Sequence, residues 1–140
     1  MNDNDPQGLV ADIWVARLAW IQDRLREGRN IEPLLRHAFH LAQIAPLKFA
    51  NLLGDLISEE AYEAALAHED WDRAANLLLG EHVRIARLTP SSGVMAVIVR
   101  DERSSGSAIG GTYAQAALDA WIARIFDATG LNDTSLTYLD

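Results

Sequence analysis

Cysteine is absent from this chain of 140 residues, so disulfides, thiolate-bound zinc and cysteine nucleophiles are excluded together. Lysine is nearly absent too: of twelve basic residues, eleven are arginine and one is Lys48. That bias fits a GC-rich genome, and so a bacterium or one of its phages, better than it fits a binding role. Basic residues are outnumbered altogether. Twenty Asp and Glu leave a net charge of −8, which repels nucleic acid and anionic lipid on average, so neither is an expected partner. Long apolar runs are missing as well, the longest, residues 94–99, falling far short of the ~20 residues that a bilayer span needs. Asp3 and Asp5 stand where an export signal carries Lys or Arg, and Arg17 breaks the apolar stretch that follows, so a cytoplasmic location is expected.

What is present is ordinary globular material, 49% hydrophobic and 23% charged, in a length that suits one core. The expected organisation is a flexible segment 1–8, a single domain over 9–130 divided into a helical part (9–80) and a β-hairpin with a helix (81–130), and a tail 131–140. The tail holds Leu131, Leu136, Tyr138 and Leu139, enough to dock as a short strand.

Over 9–27 the large apolar residues Val10, Ile13, Trp14, Leu18, Ile21 and Leu25 make a helical stripe, with Gly28 as a left-handed stop. Asn30 caps a second helix with Pro33 in its first turn and Ile31, Leu34, Leu35, Ala38, Phe39 and Leu41 as the apolar face. Pro46 bars helical geometry at Ala45, so this helix ends near Ile44. A third helix is expected over about 47–57, apolar nearly all round and therefore central, though it contains Gly54. Ser58 followed by Glu59 and Glu60 starts a fourth, to about Ala67, and Asp70 caps a fifth from Trp71 to Leu79 that stops at Gly80. Short connections make such helices antiparallel neighbours. The two helical hairpins look faintly alike, but two copies are too few for a solenoid.

After Gly80 the period shortens towards two. Val83, Ile85 and Leu88 alternate with Arg84 and Arg87, residues 89–93 read as a turn, and 94–101 are rich in β-formers, so 81–101 reads as an antiparallel hairpin. Such a hairpin needs cover. The helix expected over 113–128, with Leu118, Trp121, Ile122 and Ile125 on one face and Gly130 as its stop, supplies it. The fold class is therefore α+β: an N-terminal bundle of about five short helices, then an antiparallel β-hairpin covered by a C-terminal helix.

Between hairpin and helix lies the glycine-rich segment 104–112. A phosphate-binding P-loop needs Gly, four residues, Gly, Lys and a hydroxyl. Here Gly106 and Gly111 are followed by Thr112 and Tyr113, so the neutralising lysine is missing. The dinucleotide fingerprint fails on glycine spacing and lacks a preceding βαβ unit. Thr112 and Gln115 match a helix capping box instead. The segment thus reads as slack between an edge strand and a capped helix, with Gly110, Gly111 and Thr112 as an anion-binding alternative.

Acids carry the sharper signal. Asp55, Glu59, Glu60, Glu63, Glu69, Asp70 and Asp72 occur without one Lys or Arg among them, making a negative helical face. Such a face is either merely solvated or docks a basic partner, whose association it speeds and selects. The acids lack the spacing of a calcium loop. His37 and His40 lie three apart without a third local ligand, so no metal is expected. Trp14 and Trp121 sit on apolar stripes and are core, whereas Trp20 lies off its stripe and is a candidate interface anchor.

The strand, strand, loop and capped-helix ending resembles the small layered helix-and-strand proteins that phages encode, a likeness of topology that assigns no residue a role. No residue pair supplies a nucleophile with its base, and no cofactor is expected. The leading expectation is a non-enzymatic interaction module that binds a protein partner with a basic surface, as a phage or mobile-element inhibitor of a nucleic-acid-binding host protein would. One alternative is a small-ligand or enzymatic domain with a pocket between bundle and hairpin, using His37 or His82 and the Thr112 helix end. Another is a structural subunit of a larger assembly, such as a homo-oligomer. The capping reading has a direct consequence: Thr112→Ala lowers stability by about 1 kcal/mol in denaturant unfolding, whereas a mere loop residue at that position leaves the midpoint unmoved.

Overall fold

A computed structural model describes residues 6–53, 57–81, 83–88 and 94–130, with the backbone alone for 6–10, 47 and 48. Among the described residues six helices precede, flank and follow one sheet: α1 (Pro6–Arg26), α2 (Ile31–Gln43), α3 (Leu47–Ala50), α4 (Glu59–Ala67), α5 (Trp71–Leu79), β1 (Arg84–Leu88), β2 (Met95–Arg100), β3 (Ser105–Gly110) and α6 (Tyr113–Thr129). The class is α+β, as expected, with the sheet packed against the C-terminal helix. No helix of the described residues is long and apolar enough to cross a membrane.

Local chemistry accounts for most of the helix boundaries. Asn30, Ser58, Asp70 and Thr112 each accept a backbone N–H of the helix they precede, and Gly130 ends α6 in the left-handed region at φ 81°. The apolar face expected of α2 is the buried one: Ile31, Leu34, Leu35, Ala38, Phe39 and Leu41 all point inward. Buried polar tips hold the helices in register, Trp14 Nε1 donating to the Leu41 carbonyl at 2.7 Å and the Tyr62 hydroxyl to that of Leu35 at 2.8 Å.

Helix α1 buries Trp14, Leu18, Ile21 and Leu25 of its expected stripe but departs from it at two places. It begins at Pro6 rather than Leu9, and Ile13 faces outward while Gln22 is buried, its Nε2 donating to Asp119 of α6 at 2.8 Å. The third helix is a single turn and not the central element expected over 47–57. Its Phe49 stacks on Trp14 with ring centroids 5.0 Å apart, but Leu52 N–H bonds back to Phe49 and Leu53 N–H to Ala50, tightening the chain into a turn.

The glycine-rich segment is not slack. Residues 105–110 form β3, so the sheet has three antiparallel strands in the order β1-β2-β3 and β2 is central, not an edge. An Asx turn reverses the chain: Asp101 Oδ1 accepts the N–H groups of Arg103 and Ser104, each at 2.8 Å, and Asp101 N–H donates to the Ser104 carbonyl. Glycine serves close approach here. A side chain at Gly106 would meet the α6 backbone at Ala120 and Arg124 and lie 2.8 Å from the Ala123 carbonyl carbon.

Pairing also corrects the reading of β1. Ile85 and Arg87 oppose the buried Val99 and Val97, whereas Leu88 shares the outer face with Arg84. Arg87 is accommodated on the inner face because its guanidinium lies 3.7 Å from the centroid of the Tyr113 ring. Both the sheet and the helices pack on α6, whose Leu118, Trp121, Ile122 and Ile125 are all buried. The expected tail strand in 131–140 lies outside the described residues.

The helix-to-strand contact at Gly106 predicts that Gly106→Ala destabilises the chain by about 1–3 kcal/mol, read as a lower denaturant midpoint. Ala at the exposed neighbour Ser107 leaves that midpoint nearly unchanged.

Candidate functional site

The acids singled out in the sequence do not all behave alike. Asp55 lies outside the described residues. Glu59 and Glu60 are exposed in the first turn of α4, and Asp72 is exposed in the first turn of α5. Glu69 occupies the tight turn between the two helices at φ 56°, while Asp70 caps α5 by accepting the Arg73 N–H at 3.2 Å.

Glu63 is neutralised, contrary to the uncompensated face expected. Arg36 of α2 reaches across, its Nη1 donating to both Glu63 oxygens at 2.7 and 2.9 Å and its Nη2 to Glu32 at 3.1 Å. Hydrogen bonds from Arg36 to Glu63 and then Glu32 hold its guanidinium above the ordinary arginine value. The partner comes from another helix, so a survey of the acidic run alone could not reveal it.

Asp70 and Asp72 border a hollow of about 810 Å³ between the helical part and the sheet. Its walls combine carboxylates of Asp70, Asp72 and Glu81 with apolar Ile57, Leu77 and Ile85, and they include Ser58, the cap that Glu59 and Glu60 follow in the chain. Arg73 also lines it, so three acids face one cation. Glu81 and Ile85 were not singled out in the sequence. They enter because β1 follows α5 directly and turns its inner face towards it.

The chain matches no family model, no curated protein and no solved structure.

Trp20 lies elsewhere, 46% exposed on α1, with its ring edge-on to His37 at 5.9 Å and the Arg24 guanidinium 5.2 Å from its centroid. Ile13 of α1 and Ile44 after α2 are exposed as well. Burial first, then Arg17 and His40, holds the His37 imidazole below its ordinary value. His37 therefore belongs to the α1–α2 contact and does not line the hollow beside α5. His82 lies outside the described residues, and no group of three His, Asp or Glu among those described could hold a metal.

Gly110 ends β3, and the exposed Gly111 and Thr112 lead into α6, where the Thr112 hydroxyl accepts the Gln115 N–H at 3.2 Å. A second hollow of about 600 Å³ reaches this helix start and is lined also by Arg29, Arg87 and Asp72. Of the residues expected for a ligand pocket, Thr112 lines this hollow and His37 does not.

An ionic network centres on a buried arginine of α6 and reaches the surface at Asp101. Arg124, fully buried on α6, donates from Nη1 to Asp101 at 2.7 Å and to Ser104 Oγ at 3.2 Å, and from Nη2 to the Leu52 carbonyl. Burial alone would raise the Asp101 pKa. The amides of Arg103 and Ser104, the Ser104 hydroxyl and Arg124 outweigh it and hold the carboxyl below the ordinary aspartate value.

Because the folded-state pKa is depressed, this carboxylate stabilises the fold above the unfolded aspartate pKa of about 4, and the contribution is lost as pH falls through the lower folded value. Asp101→Asn should therefore be less stable than the parent at pH 7, with the difference shrinking towards pH 3. Parallel unfolding curves over that range check it, and a constant difference would refute the linkage.

Proposed function

We propose that this chain is a non-enzymatic interaction module that binds a basic partner surface through the acid-bordered hollow between the start of α4, α5 and β1. The observation that carries this reading is the joining of exposed carboxylates to apolar walls in one concavity: Asp70, Asp72 and Glu81 beside Ile57, Leu77 and Ile85. Apolar walls take the stem of a long basic side chain while carboxylates at the rim meet its charge. The Glu59 and Glu60 carboxylates extend the same field along the α4 start, where the helix dipole favours them. In its narrower form the partner is a nucleic-acid-binding host protein whose basic surface the chain occupies.

A labelled peptide alternating Arg and Val is the probe. It binds the chain in fluorescence anisotropy, more weakly as salt is raised, and charge reversal at Glu59, Glu60 and Asp72 weakens it by about tenfold or more. Glu63→Gln, which breaks only the pair with Arg36, leaves binding nearly unchanged. Affinity indifferent to salt and to the reversals would falsify the reading.

A further inference from the structure

The outer face of the sheet carries a site of opposite sign, separate from the acid-bordered hollow. Side chains opposite one another across antiparallel strands share a face. Leu88, Ala96 and Ile109 therefore form one row, Ala86, Ile98 and Ser107 the next, and Arg84, Arg100 and Ser105 the third. α6 covers the other face, where Val97, Val99 and Gly106 are buried. Leu88 and Ile109, 55% and 67% exposed, are the two most exposed large apolar side chains among the described residues.

The arginine row is the unusual part. Arg84 and Arg100 are exposed and directly opposite one another, and like charges in that position weaken the strand pair. Neither forms an ion pair with another described residue. Arg103, in the turn that follows, lines the same hollow of about 690 Å³ together with Asp101 and Glu102. The Asp101 carboxylate is already engaged by Arg124 and Ser104, so among the described residues Glu102 alone faces three guanidinium groups.

Arginines that outnumber the acids beside them, one row from an apolar strip, are completed by carboxylates whose neighbours are apolar. We propose that the outer face of the sheet docks an acidic, apolar-containing polypeptide segment of a partner, its carboxylates held by Arg84, Arg100 and Arg103 and its apolar side chains laid on Ile98, Leu88 and Ile109. Guanidinium forks bind carboxylates in bidentate geometry, which gives the charge match direction as well as strength. A nucleic-acid backbone would satisfy the arginines but bury nothing on the apolar strip, against a chain of net charge −8.

The test uses the full chain and a labelled peptide alternating Glu and Val. The peptide binds, binding weakens as salt rises, and Arg84→Glu with Arg100→Glu lowers affinity about tenfold or more. Ile109→Ser lowers it separately, and circular dichroism confirms that these surface variants are folded. Reversal at Glu59, Glu60 and Asp72 leaves this peptide bound, just as the Arg84 and Arg100 reversals leave the basic peptide bound, so the two sites succeed or fail independently. The proposal is overturned if the acidic peptide does not bind or if the arginine reversals leave its affinity unchanged. It is equally overturned if single-stranded DNA displaces the peptide, making nucleic acid the occupant. A dimer in sedimentation that the Arg100→Glu variant abolishes would assign the face to a second copy and also overturn it.

Discussion

The burial of the Arg124 guanidinium is the constraint on which the arrangement of sheet, turn and C-terminal helix depends. A buried cation is costly unless opposite charge and hydrogen-bond acceptors surround it. Arg124 finds Asp101 and Ser104 in the turn between β2 and β3, and the Leu52 carbonyl where the chain leaves the α3 turn. One side chain on α6 thereby joins three segments far apart in sequence. The same few residues govern the distance of approach, since Gly106 rests against the helix backbone at Ala120 and Arg124, where no side chain fits. Ser105 N–H adds a bond to Asp127 at 2.9 Å. β3 is thus laid on α6 at contact distance, and the orientation of the whole sheet follows from it.

The helical part meets α6 by a second polar link of the same kind. Asp119, buried on α6, accepts from Gln22 at 2.8 Å and from Arg26 at 3.3 Å, both on α1. Because helices and sheet dock on one helix, they leave a cleft where α5 passes into β1. That cleft is the acid-bordered hollow, formed by the meeting of two parts and not by any one element. Its charge is local: Glu63, close in sequence, is withdrawn from it by Arg36.

Net charge conceals this division of the surface. A chain at −8 nonetheless gathers Arg84, Arg100 and Arg103 at one end of the open sheet face, while its acids collect around α4 and α5. Cross-strand register brings the two strand arginines together. Residues sixteen positions apart in the chain become nearest neighbours because β1 and β2 pair as Arg84 with Arg100.

Local chemistry written in the chain was legible without the tertiary structure: the caps at Asn30, Ser58, Asp70 and Thr112, the stop at Gly130, the buried stripe of α2 and the core roles of Trp14 and Trp121 all depend on neighbours within a few residues. What escaped depended on distant partners. Residues 105–110 hold Ile109 as their one branched side chain and no aromatic, and they form a strand where Gly106, without a side chain, lies directly against the α6 backbone. Trp14, Leu18, Ile21 and Leu25 of the expected stripe are buried, but Ile13 points outward and Gln22 joins the buried face, where it meets Asp119. The acidic run was visible in the sequence, but which of its members keep their charge unpaired was decided by Arg36 on another helix. Hydrogen-bond caps and helical periodicity act over a turn or two of chain, so sequence determines them; burial of charge, strand register and clefts arise between segments, so only the assembled fold decides them.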